Sequence, residues 1–96
     1  MNHYVLSPRA QHDLASIWDY TAQRWGEDQA ERYVRQLQAS IEQIASDPGL
    51  GAPCDDIRAG YRKHPSGSHL LFYRRIDSGI DIVRILHARM DLPQHL

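Results

Sequence analysis

The side chains with most chemical capacity crowd into the second half of the chain. The stretch Gly60–Arg75, GYRKHPSGSHLLFYRR, carries Arg62, Lys63, His64, His69, Arg74 and Arg75 around a tight turn, and Arg84, His87 and Arg89 follow it. Imidazoles titrate near neutral pH and move protons, whereas guanidinium and ammonium groups hold phosphate. Cutting RNA with its own 2′-hydroxyl needs a base for that hydroxyl, an acid for the leaving oxygen and cations for the phosphate. His64, His69 and His87, with Arg62, Lys63, Arg75, Arg84 and Arg89, supply each of these residue types. The same residues fit a second role, a basic face that holds a carboxylate-bearing partner and performs no chemistry. Composition favours that role, because Asp81 is the one obvious carboxylate base in these strands.

Other chemistries find less support. His3, His12 and His95 stand alone, without a second ligand at the spacing of structural zinc sites, so no metal is expected. One cysteine, Cys54, excludes an internal disulfide and points to a reducing, cytoplasmic setting. Asp55 and Asp56 beside it disfavour a thiolate, so an inert thiol is expected. Gly49-Leu50-Gly51 follows a helical pattern and lacks the other glycines of a phosphate loop; it reads as a helix stop. No apolar run reaches the roughly 18 residues of a membrane span, and MNHYVLSPRA is not a secretory signal.

Charge divides the chain. Residues 1–57 hold four Arg and nine Asp or Glu, whereas residues 58–96 hold seven Arg or Lys and three Asp, within a net charge of −1. A basic second half favours an anionic partner.

The elements that must carry these side chains follow from spacing. Residues 3–6 read as a short strand. Ser7-Pro8 opens a helix over about 8–25, with Ser7 as cap and Pro8 where no N–H is needed. Apolar residues at 10, 14, 17, 18, 21 and 25 form its buried face, and Gly26 ends it. A second helix, about 27–46, buries Ala30, Tyr33, Val34, Leu37, Ile41, Ile44 and Ala45. Trp18, Trp25 and Tyr33 are expected in the core. Residues 50–57 read as a loop, and strands are expected at about 59–64, 68–76 and 80–88 with turns at Pro65-Ser66-Gly67 and Asp77-Ser78-Gly79. The expected fold is one α+β domain over 1–96, an N-terminal antiparallel helical hairpin on one face of a small, mainly antiparallel sheet.

Alternation makes two further predictions. Leu70, Phe72 and Ile76 share one face of their strand, opposite Leu71 and Tyr73; Ile80, Ile82 and Leu86 oppose Val83 and Ile85. Both sheet faces are then half apolar, so the face away from the helices needs cover from the C-terminal tail or from a partner. Alternation also puts His69 and Arg75 on one face and separates Arg84 from His87.

In order along the chain, Ser7-Pro8-x-Ala10-x-x-Asp13-Leu14-x-x-Ile17, Trp25-Gly26, Ala30-x-x-Tyr33, Gly60-Tyr61-Arg62, Ser66-Gly67-Ser68-His69, Phe72-Tyr73-Arg74 and Ile85-Leu86-His87-Ala88-Arg89-Met90-Asp91 resemble the ParE toxins of bacterial toxin–antitoxin modules, within the RelE/ParE superfamily. The resemblance spans nearly the whole chain. It implies the fold derived above and a cytoplasmic toxin of the plasmid-stabilising kind that poisons DNA gyrase by binding. It further implies neutralisation by a ParD-like antitoxin whose C-terminal segment wraps the toxin. No cofactor, membrane contact, sequence-specific DNA contact or catalytic activity of its own is implied. RelE-like relatives instead cut messenger RNA on the ribosome with basic residues of the last three strands. Here Arg62 and His64 keep polar groups, but the arginines expected early in the middle strand and after the last strand fall at Leu70 and Met90. Arg62, Lys63, His64, Arg75, Arg84, His87 and Arg89 are the expected partner-contact surface; Arg62, His64, His87 and Arg89 are the catalytic set if the chain is a ribonuclease. Arg62 and Arg74 are also expected to pair with helix carboxylates such as Asp13 or Asp19.

Overall fold

A computed structural model describes residues 3–90; Asp91, His95 and the expected cover by the tail lie outside them. Strand β1 (Tyr4–Leu6) leads into helices α1 (Pro8–Trp25) and α2 (Glu27–Ser46), both with the boundaries expected from spacing. The Ser7 hydroxyl accepts from the Ala10 amide at 3.0 Å and donates to the Val83 carbonyl at 2.7 Å, so one side chain caps α1 and ties it to the sheet. Gly26, with φ 92°, separates the helices, a backbone conformation that favours glycine. Glu27 and Asp28 then place negative charge at the start of α2.

The sheet continues with β2 (Ala52–Pro53), β3 (Tyr61–Ser66), β4 (His69–Ile76) and β5 (Gly79–His87), in spatial order β1-β5-β4-β3-β2. Only β1 and β5 run parallel. The two-residue β2 lies within the expected loop, because nothing in Ala52-Pro53 alternates. The last three strands sit within two residues of expectation. Pro65 and Ser66 extend β3 where a turn was expected, with Ser66 opposite His69 and the turn made by Gly67 and Ser68.

Leu37, Ile41 and Ile44 of α2 and Ile17 of α1 pack on Leu71, Tyr73, Ile80, Ile82 and Ile85 of the sheet. Ile85 joins Ile80 and Ile82, contrary to alternation. The register explains it: Tyr73 faces Ile82 while Phe72 faces Arg84, leaving Val83 as an extra residue on β5. After this bulge, odd-numbered residues of β5 take the helix side. Arg84 and His87, expected on opposite faces, both line the groove described below.

The opposite face has cover of its own among the described residues. Phe72 and Leu86 pack there with Cys54, and Ile57, Tyr61 and Leu70 close around them. The segment 54–60 is the cover. Its fold is fixed by bonds from the Ile57 and Arg58 amides to the Cys54 carbonyl and from the Gly60 amide to Asp55. Cys54 is therefore buried, and burial, more than the neighbouring aspartates, raises its pKa above the ordinary value. Trp25 departs from expectation too: it is 61% exposed, because Gly26 turns the chain before its face meets the sheet.

Candidate functional site: a groove between the helices and the sheet end

At the end of the sheet where β4 begins and β5 ends, the helices stand away from the strands. The groove between them has a volume of about 980 Å³. Ile17, Tyr20, Thr21 and Trp25 of α1 form one wall, and Asp28, Arg32 and Tyr33 of α2 the other. His69, Arg84, Ile85 and His87 form the floor, with Met90 at the mouth.

The floor is held by a buried ion pair. Arg84 Nε and Nη2 donate to the two oxygens of Asp13 at 2.7 and 2.8 Å, and Asp13 also accepts from the Ile85 amide at 3.0 Å. A bidentate pair this enclosed fixes α1 against β5. The expected helix carboxylate, Asp13, thus meets Arg84. Arg62 instead donates to the Gly51 carbonyl at 2.6 Å, and Arg74 to Asp81 at 3.2 Å. Asp81, the strand carboxylate with the clearest capacity as a base, therefore already has a cation.

Two imidazoles meet beside the ion pair. His69 and His87 are opposite one another across β4 and β5, their rings edge to face with centroids 5.4 Å apart. Tyr33 reaches over from α2, its hydroxyl 2.6 Å from His69 Nδ1 and accepting from the Ser68 amide at 2.9 Å. With a lone pair and a proton left after that bond, the hydroxyl can pair with His69 Nδ1 in either direction, according to the ring's tautomer. His87 Nδ1 accepts from the Arg89 amide at 3.1 Å. His87 thus uses Nδ1 as an acceptor and, when neutral, carries its proton on Nε2. Burial, and next the neighbouring His87, lower the pKa of His69 below its ordinary value, with Asp13 pulling weakly the other way.

The expected contact surface is distributed by this geometry. Lys63 faces Phe72 across the ladder and so belongs with the covered face; His64 lies opposite Leu71, on the helix side. Taking strands about 4.8 Å apart and residues about 3.4 Å apart, the Cα atoms of His64 and His87 are about 12 Å apart. His69, not His64, is the neighbour of His87. Arg75 is exposed on β4, six residues from His69, and Arg89 follows His87 just beyond β5. Of the seven, Arg84 and His87 line the groove. Among the described residues, no three His, Cys, Asp or Glu side chains are grouped to hold a metal ion.

Sequence reasoning weighed Trp25 as a partner anchor but placed it in the core, and passed over Tyr20; both are exposed at the groove rim. Tyr20 and Trp25 stack edge to face at 6.3 Å, and the Arg24 guanidinium lies 5.4 and 5.3 Å from their ring centres. The signal was there, in aromatics five residues apart flanking an arginine at the end of a helix. Arg32 left no such mark, being one helix cation among several.

Residues 4–92 match the family described as the ParE toxin of the type II toxin–antitoxin system parDE. The chain is 54% identical over 96 residues to toxin ParE1 of Mycobacterium tuberculosis, covering 99% of this chain and 98% of that one. It is 51% identical to toxin ParE1 of Caulobacter vibrioides, covering 100% and 99%. A solved structure of the chromosomal ParDE system from P. aeruginosa shares the fold, with a TM-score of 0.79 at 20% identity over 91% of this chain and 96% of that one. Similarity at this level over nearly the whole chain is decisive: the chain belongs to the ParE toxin family of type II toxin–antitoxin systems.

Proposed function

We propose that this toxin acts by binding DNA gyrase in the bacterial cytoplasm, without catalysis of its own, and that a ParD-like antitoxin silences it by laying an acidic amphipathic segment in the groove. The observation that carries the reading is the fate of the arginines. Arg84 is clamped to Asp13 and Arg62 to a backbone carbonyl, so two groups otherwise suited to a scissile phosphate already have internal partners. The groove meanwhile offers apolar walls and exposed Tyr20, Trp25 and Met90, the composition of a protein-binding surface. His87 and Arg89 carry the expected basic surface to its mouth, and Lys63, His64 and Arg75 extend it elsewhere on the sheet. No helix among the described residues is long and apolar enough to cross a membrane.

The test is a supercoiling assay with purified gyrase. The toxin is expected to block supercoiling or trap cleaved DNA, and antitoxin to restore activity; unaffected gyrase at large molar excess of toxin would overturn the reading. One observation favours a second reading, ribosome-dependent cleavage of messenger RNA: the convergence of His69, His87 and the Tyr33 hydroxyl. That reading requires cut transcripts after induction, abolished by His87→Ala in a folded protein. Intact transcripts in arrested cells eliminate it.

A further inference from the structure

The groove contains paired imidazoles where a merely apolar channel would need none. His69 and His87 each direct Nδ1 inward, to Tyr33 and to the Arg89 amide. Nε2 of each ring has no hydrogen-bond partner within the chain among the described residues, and both rings line the groove. Among the described residues, charged groups face them from each neighbouring element. On α1, Asp13 is neutralised by Arg84 of β5; on α2, Tyr33 holds His69, Arg32 adds a cation to the wall and Asp28 an anion. Arg89 follows His87 beyond β5. With Asp13 engaged, the groove floor presents the two Nε2 atoms and, among the described residues, no anion bonded to either.

From this geometry we infer that the segment docking in the groove supplies a carboxylate to the His69–His87 pair, and that its binding takes up a proton. The inference rests on the proposed antitoxin docking and adds its chemistry: one Asp or Glu, flanked by apolar residues that meet Ile17, Tyr20 and Trp25. A carboxylate over the two Nε2 atoms stabilises an imidazolium on the pair, which at His69 burial and the neighbouring His87 disfavour in the free toxin. An all-apolar segment does the reverse, since dehydrating the rings keeps them neutral. Proton uptake or its absence therefore reads out the chemistry of the partner.

The experiment is isothermal titration calorimetry of the full toxin with the antitoxin encoded by the adjoining reading frame, in buffers of different ionisation enthalpy between pH 6 and 8. The expected result is net uptake of up to one proton near pH 7 and a Kd about tenfold weaker at pH 8 than at pH 6. The pH dependence should flatten to within about twofold in His69→Gln/His87→Gln. Histidine ring NMR shifts of the unmutated complex should report an imidazolium at pH 7, a readout that survives if the double variant fails to fold. Binding without proton uptake, or with ring shifts unchanged, overturns this inference and leaves antitoxin binding intact. Absence of a complex at every pH overturns the docking proposal and the inference together.

Discussion

Asp13 illustrates how much one side chain organises at the residue scale. It accepts two bonds from Arg84 and one from the Ile85 amide within a nearly enclosed space. Removing Asp13 takes the bidentate carboxylate from a buried guanidinium, so Asp13→Ala should lower stability by about 3 kcal/mol. Urea unfolding measures this, and a cycle with Arg84→Ala should show strong coupling, because each single change already breaks the pair. Tyr73 works through its hydroxyl in the same way. It donates to the Pro48 carbonyl and accepts from the Gly51 amide, both at 2.8 Å, pinning the segment after α2 to the sheet. Gly51 must be glycine, since a Cβ would lie 2.5 Å from that hydroxyl and 2.8 Å from the Lys63 carbonyl. Tyr73→Phe should cost about 1–2 kcal/mol, seen as a lower denaturation midpoint at unchanged slope.

Among the elements, the segment 54–60 and the bulge in β5 changed the reading most. The first covers Phe72 and Leu86 and takes Cys54 out of solvent. With burial raising the thiol pKa, Cys54 should react with a disulfide reagent only after denaturant is added. Immediate modification of the native protein would show that the cover opens readily. The bulge, through Val83, receives the Ser7 hydroxyl and so joins the start of α1 to β5. Ser7→Ala removes a helix cap and a tertiary bond together. It should cost about 1–2 kcal/mol, toward the upper end of the range for caps alone, as thermal unfolding will show.

For the whole molecule, acid acts on the same groove that is proposed to take the partner. His69 has a depressed pKa in the folded state, so the unfolded chain binds more protons near and below pH 6.5, the ordinary value. Stability is then fully present above that pH and falls as pH drops through the folded value. His69→Gln should flatten the slope of stability between pH 7 and 5; an unchanged slope would assign the acid sensitivity to other groups. Trp25 separates stability from binding. It is exposed on the groove wall, so Trp25→Ala should change stability by less than about 0.5 kcal/mol. Its loss should weaken antitoxin binding about tenfold or more, as for an aromatic anchor at an interface.

Both helices, their joint at Gly26 and the order of the last three strands were legible in the sequence because caps, breakers and periodicity act between neighbours in the chain. Leu70 with Phe72, and Leu71 with Tyr73, went to opposite faces as alternation required. Alternation failed at Val83, because a bulge is set by how β5 meets β4 and by Ser7, 76 residues away. The same long reach explains the site. His69 and His87 become neighbours through strand register, and Arg84 meets Asp13 across 71 positions of sequence. The cover over Phe72 was hidden because segment 54–60 has no period of its own; only closure against the sheet shows which of its side chains turn inward. Sequence alone determined which residues could form the layers and which could carry charge or protons. Tertiary structure decided which of those groups meet, because pairing depends on distances that chain spacing does not encode.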